Sequence, residues 1–299
     1  MKSVLVTGAS GFIGRHTLDP LIRKNYQIHA VNFSGDPRVQ HPNITWHSLN
    51  LHDSSATKKL LTQIRATHLL HLAWYAKPTD YWTSQLNLEW LISSVNLLNA
   101  FIQSGGKRAV FAGTCAEYDW KYGHCEELQT PCQPTAFYGI SKYSLSMICK
   151  NIVEQHNLSF AWGRLFFLFG THEYPQRLVP SVINSLINRN KYTVMNGQKV
   201  RDFLFVTDVA DALASLLDTE VTGAVNIGSG IPLTIKEIVN LVADKLQANQ
   251  YITYQDNIAA SDHVVTADVT RLANEVKWSP QFSLDDALDR TIEWWKRQV

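Results

Sequence analysis

Close behind its first apolar run, residues 4–6, the chain reads Gly8-Ala-Ser-Gly11-Phe12-Ile13-Gly14 and continues with helix-forming residues as far as Ile22. Glycines at this spacing let a turn close, bring the backbone up to a ligand and let the following helix pack on the strand. The start of that helix contributes free N–H groups and the positive end of a dipole, so the motif forms a cradle for a pyrophosphate. It also commits the chain to a strand–turn–helix opening, the first half of a right-handed βαβ unit.

The N-terminal half keeps to that plan. Apolar runs at 28–31, 44–47, 68–72, 108–112 and 160–165 read as strands with room for helices between most of them. This is the pattern of a doubly wound α/β fold, a parallel Rossmann sheet covered on both faces. After about residue 165 the rhythm changes. A helix over 175–188, short strands near Val194 and Phe203, and helices over 208–217 and 235–246 predict a smaller C-terminal substrate-binding lobe. The expected division is a dinucleotide-binding domain over 1–165 and a lobe over 166–299, with a segment near 203–228 returning to the first sheet.

Composition narrows the ligands. Lysine plus arginine number 27 against 26 aspartates and glutamates, and a net charge of +1 supplies no field for nucleic acid or an anionic membrane. The opening apolar run is too short for a signal core or a membrane span, which predicts a cytoplasmic protein. Cys115, Cys125, Cys132 and Cys149 form no CxxC pair and read as reduced thiols, each a small buried side chain. The eleven histidines form no HExxH-type cluster, so no metal is expected.

Where an acidic residue at the end of the second strand would hold the adenosine ribose of NAD, this chain has Asn32. With no carboxylate to repel a 2′-phosphate, and with Arg15, Ser34 and Arg38 nearby in sequence, NADP(H) is the preferred cofactor and NAD(H) the other choice. Solvated surface charge is the plainer account of the two arginines.

The chemistry is carried further along. Tyr138 and Lys142 stand four positions apart at the head of a helix and so share one face. A phenol near its ordinary pKa of about 10 is a poor acid or base at neutral pH, and a nearby ammonium brings it toward a useful range. The strand over 108–112 runs on to Gly113 and Thr114, placing the Thr114 hydroxyl at the carboxyl edge of the sheet, where ligands of open α/β folds bind.

Together, Gly8, Gly11, Gly14, Thr114, Tyr138 and Lys142 make the chain resemble the extended short-chain dehydrogenase/reductases, the NAD-dependent epimerase/dehydratase family of sugar nucleotides. Further matches follow in order: Asn50-Leu51 at the adenine contact, His71-Leu72-Ala73 after the fourth strand, Asn87 in the next helix, Arg164 to Gly170 in place of RxxNxYG, and Arg201-Asp202-Phe203. The series closes with Val206-Thr-Asp208-Val209, Asn226-Ile-Gly228-Ser-Gly230 and Ala267-Asp268. The resemblance implies that Tyr138 donates a proton, that Lys142 binds ribose and tunes Tyr138, and that Thr114 holds the reacting oxygen. It implies a diphosphate contact for Arg201, and it puts Trp74, Cys115, Glu117, Phe167 and Arg177 on the substrate side. It also implies a homodimer through the helices at 87–101 and 138–153, although core packing accounts equally well for Leu91, Val95, Leu98, Leu145 and Ile148.

The departures are informative. Family dehydratases carry an acidic pair after the Ser/Thr, where this chain has Cys115 and Ala116, which argues against dehydration. Glu117 is one position too late, and on an extended segment that turns its side chain to the other face. Phe167 replaces the usual asparagine, and Ala259 and Ala260 stand where a late arginine is common. The expected activity is therefore reduction of a 4-keto-6-deoxy sugar nucleotide by NADPH. Sugar-nucleotide 4-epimerisation with bound NAD is the alternative, and a non-catalytic NADP-responsive binding protein is the least favoured reading.

Overall fold

The computed structural model describes residues 2–33, 39–255 and 264–298. Ser34, Arg38, Ala259 and Ala260 lie outside them.

The first half builds β1 (Ser3–Thr7), α1 (Gly14–Arg23), β2 (Gln27–Asn32), β3 (Ile44–Ser48), α2 (Ser54–Ile64), β4 (His68–His71), α3 (Leu86–Gln103) and β5 (Arg108–Thr114). After β6 (His124–Cys125) come α4 (Phe137–His156), β7 (Ser159–Leu165), β8 (Phe167–Phe169), α5 (Leu178–Ile187), β9 (Tyr192–Met195), β10 (Val200–Phe205), α6 (Val206–Leu217) and β11 (Gly223–Ile227). The chain closes with β12 (Pro232–Thr234), α7 (Ile235–Leu246), β13 (Ile252–Gln255), β14 (Val264–Ala267), α8 (Thr270–Asn274) and α9 (Leu284–Lys296).

Seven strands form one parallel sheet in the order β11-β7-β5-β4-β1-β2-β3. Its strands are apolar on both faces because both are covered. Val4, Val6, Val110 and Ala112 pack in the core beneath α1 and α6, while their neighbours Leu5, Ala109 and Phe111 pack in the core beneath α3 and α4. The reversal of strand order lies between β1 and β4, so the carboxyl ends of β1, β4 and β5 open onto one crevice.

The second lobe holds a smaller sheet, β12-β10-β14-β6 with β8 also on β10, and a β9–β13 pair, against α5, α7 and α9. The division at residue 165 is therefore interleaved. β6 leaves the first half to join β14, and β11 pairs with β7 at the edge of the first sheet. The strand containing Phe203 does not return; it pairs with β8, β12 and β14 in the second sheet. The helix expected from residue 175 starts at Leu178, because Arg177 is an extended cap (φ −73°, ψ 158°) that follows Pro175. Among the described residues no helix is long and apolar enough to cross a membrane.

Gly14 shows how tightly the first turn closes. A Cβ built there would lie 2.0 Å from the Gly8 carbonyl oxygen and 2.8 Å from Ala9 Cα, both backbone atoms that cannot step aside. Gly14→Ala is expected to lower the unfolding free energy by about 1–3 kcal/mol, the usual cost of overpacking, as read from urea denaturation. An unchanged midpoint would contradict this packing.

Candidate active site

The glycine turn is set by the Gly11 N–H donating to Gly8 O at 2.9 Å, and α1 begins directly beyond it. Arg15 folds back onto the turn, donating from Nη2 to Ser10 O at 2.8 Å and from Nε to Gly11 O at 3.2 Å. Two cavities open from this turn. One, of about 400 Å³, is lined by Asn32, Asn50, Leu51 and Ala73 together with Phe33, His52 and Trp90. The other, of about 530 Å³, runs past Phe12, Ile13, Leu72 and Ala73 to Thr114 and Tyr138. A dinucleotide fits this pair of chambers joined across a backbone cradle.

Thr114 ends β5, and a tight 3₁₀ turn over Cys115–Glu117 follows it. α4 approaches that turn so closely that a Cβ on Gly139 would lie 2.4 Å from Ala116 O. This approach brings the Tyr138 hydroxyl close enough to the Thr114 side chain to feel it electrostatically, and both residues line the larger cavity. The Tyr138 N–H donates to Trp82 O at 3.1 Å, and its ring packs edge-on against Tyr81 at 4.9 Å.

Lys142 lies one helical turn on and is buried. It donates to Ala112 O at 2.9 Å, and its Nζ sits 3.8 Å from the centre of the Trp74 ring. Trp74 Nε1 donates to Asn87 Oδ1 at 2.9 Å, and Asn87 donates in turn to the carbonyls of Tyr81 and Ser84 at 2.7 and 2.9 Å. Asn87 thus anchors the aromatic wall facing Tyr138. His71 is equally structural: it bridges Thr7 Oγ1 at 2.6 Å and Ser94 Oγ at 2.8 Å, and burial drives its pKa down to about 3.

The electrostatics depart from expectation. Desolvation is the largest influence on Lys142 and lowers it to about 7. Burial likewise pushes Tyr138 well above an ordinary phenol, and the Thr114 side chain offsets this only in part. Lys142 does not draw Tyr138 downward here, because its ammonium is directed at Ala112 O and the Trp74 ring. The phenol keeps its proton at neutral pH.

Of the expected substrate contacts, Trp74, Cys115, Phe167, Arg177 and Arg201 line the larger cavity. The Arg201 guanidinium lies 5.2 Å from the Phe167 ring and 5.7 Å from Trp120. Arg177 lies over Tyr81 at 5.0 Å, with Nη1 3.4 Å from the Tyr81 hydroxyl. Glu117 requires correction. Its segment is helical rather than extended, and its carboxylate is wholly buried away from the cavity. It accepts from the Thr114 N–H at 2.8 Å, from Trp162 Nε1 at 2.9 and 3.0 Å, and from Arg164 Nε at 2.9 Å.

Sequence reasoning passed over Tyr81, Trp82 and Glu173 in the larger cavity and Phe33, His52 and Trp90 in the smaller. The available signal was the aromatic density of the segment following β4, which is denser than a solvated loop requires.

Residues 4–228 match the sequence model of the NAD dependent epimerase/dehydratase family. The dTDP-4-dehydro-6-deoxyglucose reductase of Escherichia coli is 24% identical over 310 residues, covering 98% of this chain and 97% of that protein. UDP-glucuronic acid decarboxylase 1 of Danio rerio is 24% identical over 310 residues, covering 100% and 73% respectively. The solved UDP-glucose 4-epimerase of Thermus thermophilus, a complex with NAD, shares the fold with a TM-score of 0.85 at 22% identity, over 99% of this chain and 100% of that one.

Removing one partner of a buried ion pair strands the other. Glu117→Ala is expected to cost about 3–5 kcal/mol in urea unfolding, whereas Glu117→Gln, which still accepts from Thr114 and Trp162, should cost less. A loss below about 1 kcal/mol for the alanine variant, the scale of an exposed pair, would refute the anchoring role of this carboxylate.

Proposed function

This chain belongs to the NAD dependent epimerase/dehydratase family, and from its site we propose that it is an NADPH-dependent reductase of a 4-keto-6-deoxy sugar nucleotide. The observation that carries the reading is Tyr138 beside Thr114 in one cavity wall, its phenol held in the protonated form by burial, with no acid at positions 115 and 116 of the same wall. The Escherichia coli relative, a dTDP-4-dehydro-6-deoxyglucose reductase, supports it.

When bound, the nicotinamide supplies the hydride that the C4 ketone accepts. The chain supplies the rest. Thr114 and Tyr138 hydrogen-bond the ketone oxygen, and the charge that develops on it is stabilised in a site already shielded from water. Tyr138 then gives up its proton and leaves an alcohol. Lys142 stands ready for the nicotinamide ribose, and its lowered affinity for a proton limits the charge held in that pocket. Cys115 cannot replace a dehydratase acid: burial raises its thiol pKa, so it stays protonated. On the adenosine side Asn32 brings no negative charge and Arg15 borders the turn, which favours a 2′-phosphate. Dimerisation fits the outward faces of α3 and α4, where Leu88, Ile92, Met147 and Ile148 are exposed; Leu98 and Leu145, by contrast, are core residues.

NADPH oxidation followed with 4-keto-6-deoxy hexoses carried on GDP, CDP and dTDP should show turnover with one of them. Tyr138→Phe is expected to lower kcat by about 10²–10⁴, the share of a positioned acid, with cofactor Kd unchanged. Isomerisation of a sugar nucleotide without net cofactor oxidation would replace the reductase reading with epimerisation. Tighter binding of NADH than of NADPH would overturn the cofactor preference.

A further inference from the structure

One polar group in the catalytic cavity has no part in this reaction. Glu173, in the turn between β8 and α5, is 8% exposed and lines the cavity wall. Its Oε2 is enclosed and has no hydrogen-bond partner among the described residues. Buried oxygens in native structures are almost always satisfied, so an exception in a cavity wall points to a group that arrives with a ligand.

The position of Glu173 narrows the choice. On one side its turn is fastened to α1, with His16 Nε2 3.4 Å from the Thr171 carbonyl oxygen and 3.3 Å from the Thr171 hydroxyl. On the other side stands Arg177, whose Nη1 is 3.4 Å from the Tyr81 hydroxyl, and the Tyr81 ring meets Tyr138 at 4.9 Å. Glu173 shares its cavity with Gly8, Gly11 and Gly14 at one end of the dinucleotide path and with Tyr138, so a nicotinamide reaching from the turn to the tyrosine enters the same chamber.

We propose that Glu173 binds the carboxamide of the nicotinamide ring, the two groups closing a reciprocal pair of hydrogen bonds. Burial raises the carboxyl pKa to about 8 despite Arg177, so it is an uncharged acid at neutral pH, with a donor and an acceptor on one edge. A primary amide presents the matching edge: its N–H meets the acceptor and its C=O meets the O–H. A single sugar hydroxyl cannot fill both positions in one plane. This inference rests on the family's nicotinamide cofactor and is independent of the sugar assignment.

The test measures cofactor Kd in the absence of sugar nucleotide, by quenching of tryptophan fluorescence. NADPH and NADH are each compared with their 3-acetylpyridine analogues, in which a methyl ketone replaces the amide. Wild-type protein is expected to prefer the amide about tenfold, the worth of one good hydrogen bond. Glu173→Ala should bind amide and ketone alike, with the loss falling on the amide cofactor, whereas Glu173→Gln, which keeps a donor–acceptor edge, should retain the preference. Should the alanine variant fail to fold, Glu173→Met gives the same comparison with the space filled. A preference undiminished in the alanine or methionine variant overturns the proposal. So does an unchanged cofactor Kd accompanied by a raised KM for the sugar nucleotide, because the carboxyl group would then serve the sugar.

Discussion

The architecture converges on the buried carboxylate of Glu117. It fixes the backbone of Thr114 at the end of β5 and binds Trp162 and Arg164 on β7. Arg164 passes the connection on through Nη1 to the Tyr118 hydroxyl at 2.9 Å, and that hydroxyl donates to Asn226 on β11 at 2.8 Å. Asn226 in turn donates to the carbonyls of Cys125 and Asp268, next to the strands of the smaller sheet. A buried ion pair therefore orients the backbone of Thr114 and ties the two sheets together. Such a group is tolerated only because every lone pair has a partner.

A second polar cluster serves the lobe. Asp202 on β10 accepts from the N–H groups of Ser229, Gly230 and Ala267 at 2.6, 2.9 and 3.1 Å. It holds β10, the turn after β11 and the end of β14 in one arrangement. Arg201, next to Asp202 in sequence, is thereby presented to the cavity from a rigid strand. Two of the motif positions, Asp202 and Asn226, thus act as braces that fix the lobe's wall of the larger cavity.

Within the site, burial is the dominant electrostatic influence. The same desolvation that leaves Lys142 reluctant to hold a proton leaves Tyr138 reluctant to lose one. Both shifts reduce the charge carried by the cavity wall. The aromatic wall of Trp74, Tyr81 and Trp82 produces that dryness, and Asn87 holds it in place through three hydrogen bonds to the segment before α3.

The glycine turn, the alternation of strands and helices, and the Tyr138–Lys142 spacing were legible because each is set by local geometry. A turn needs glycine where a Cβ would collide, a strand buried on both faces needs a continuous apolar run, and one helical turn fixes a four-residue pair. The strand at Phe203, the inward course of Glu117 and the unpartnered oxygen of Glu173 were not legible. Strand partners and buried hydrogen bonds depend on which distant segments arrive beside a residue, and a linear pattern carries no such information. The sequence by itself determined a doubly wound sheet with a glycine turn at the end of its first strand and Tyr138 and Lys142 on one face of a helix. Only the tertiary structure decided that the acid after Thr114 is a structural anchor, because its partners Trp162 and Arg164 lie more than forty residues further along the chain and reach it only when β7 packs beside β5.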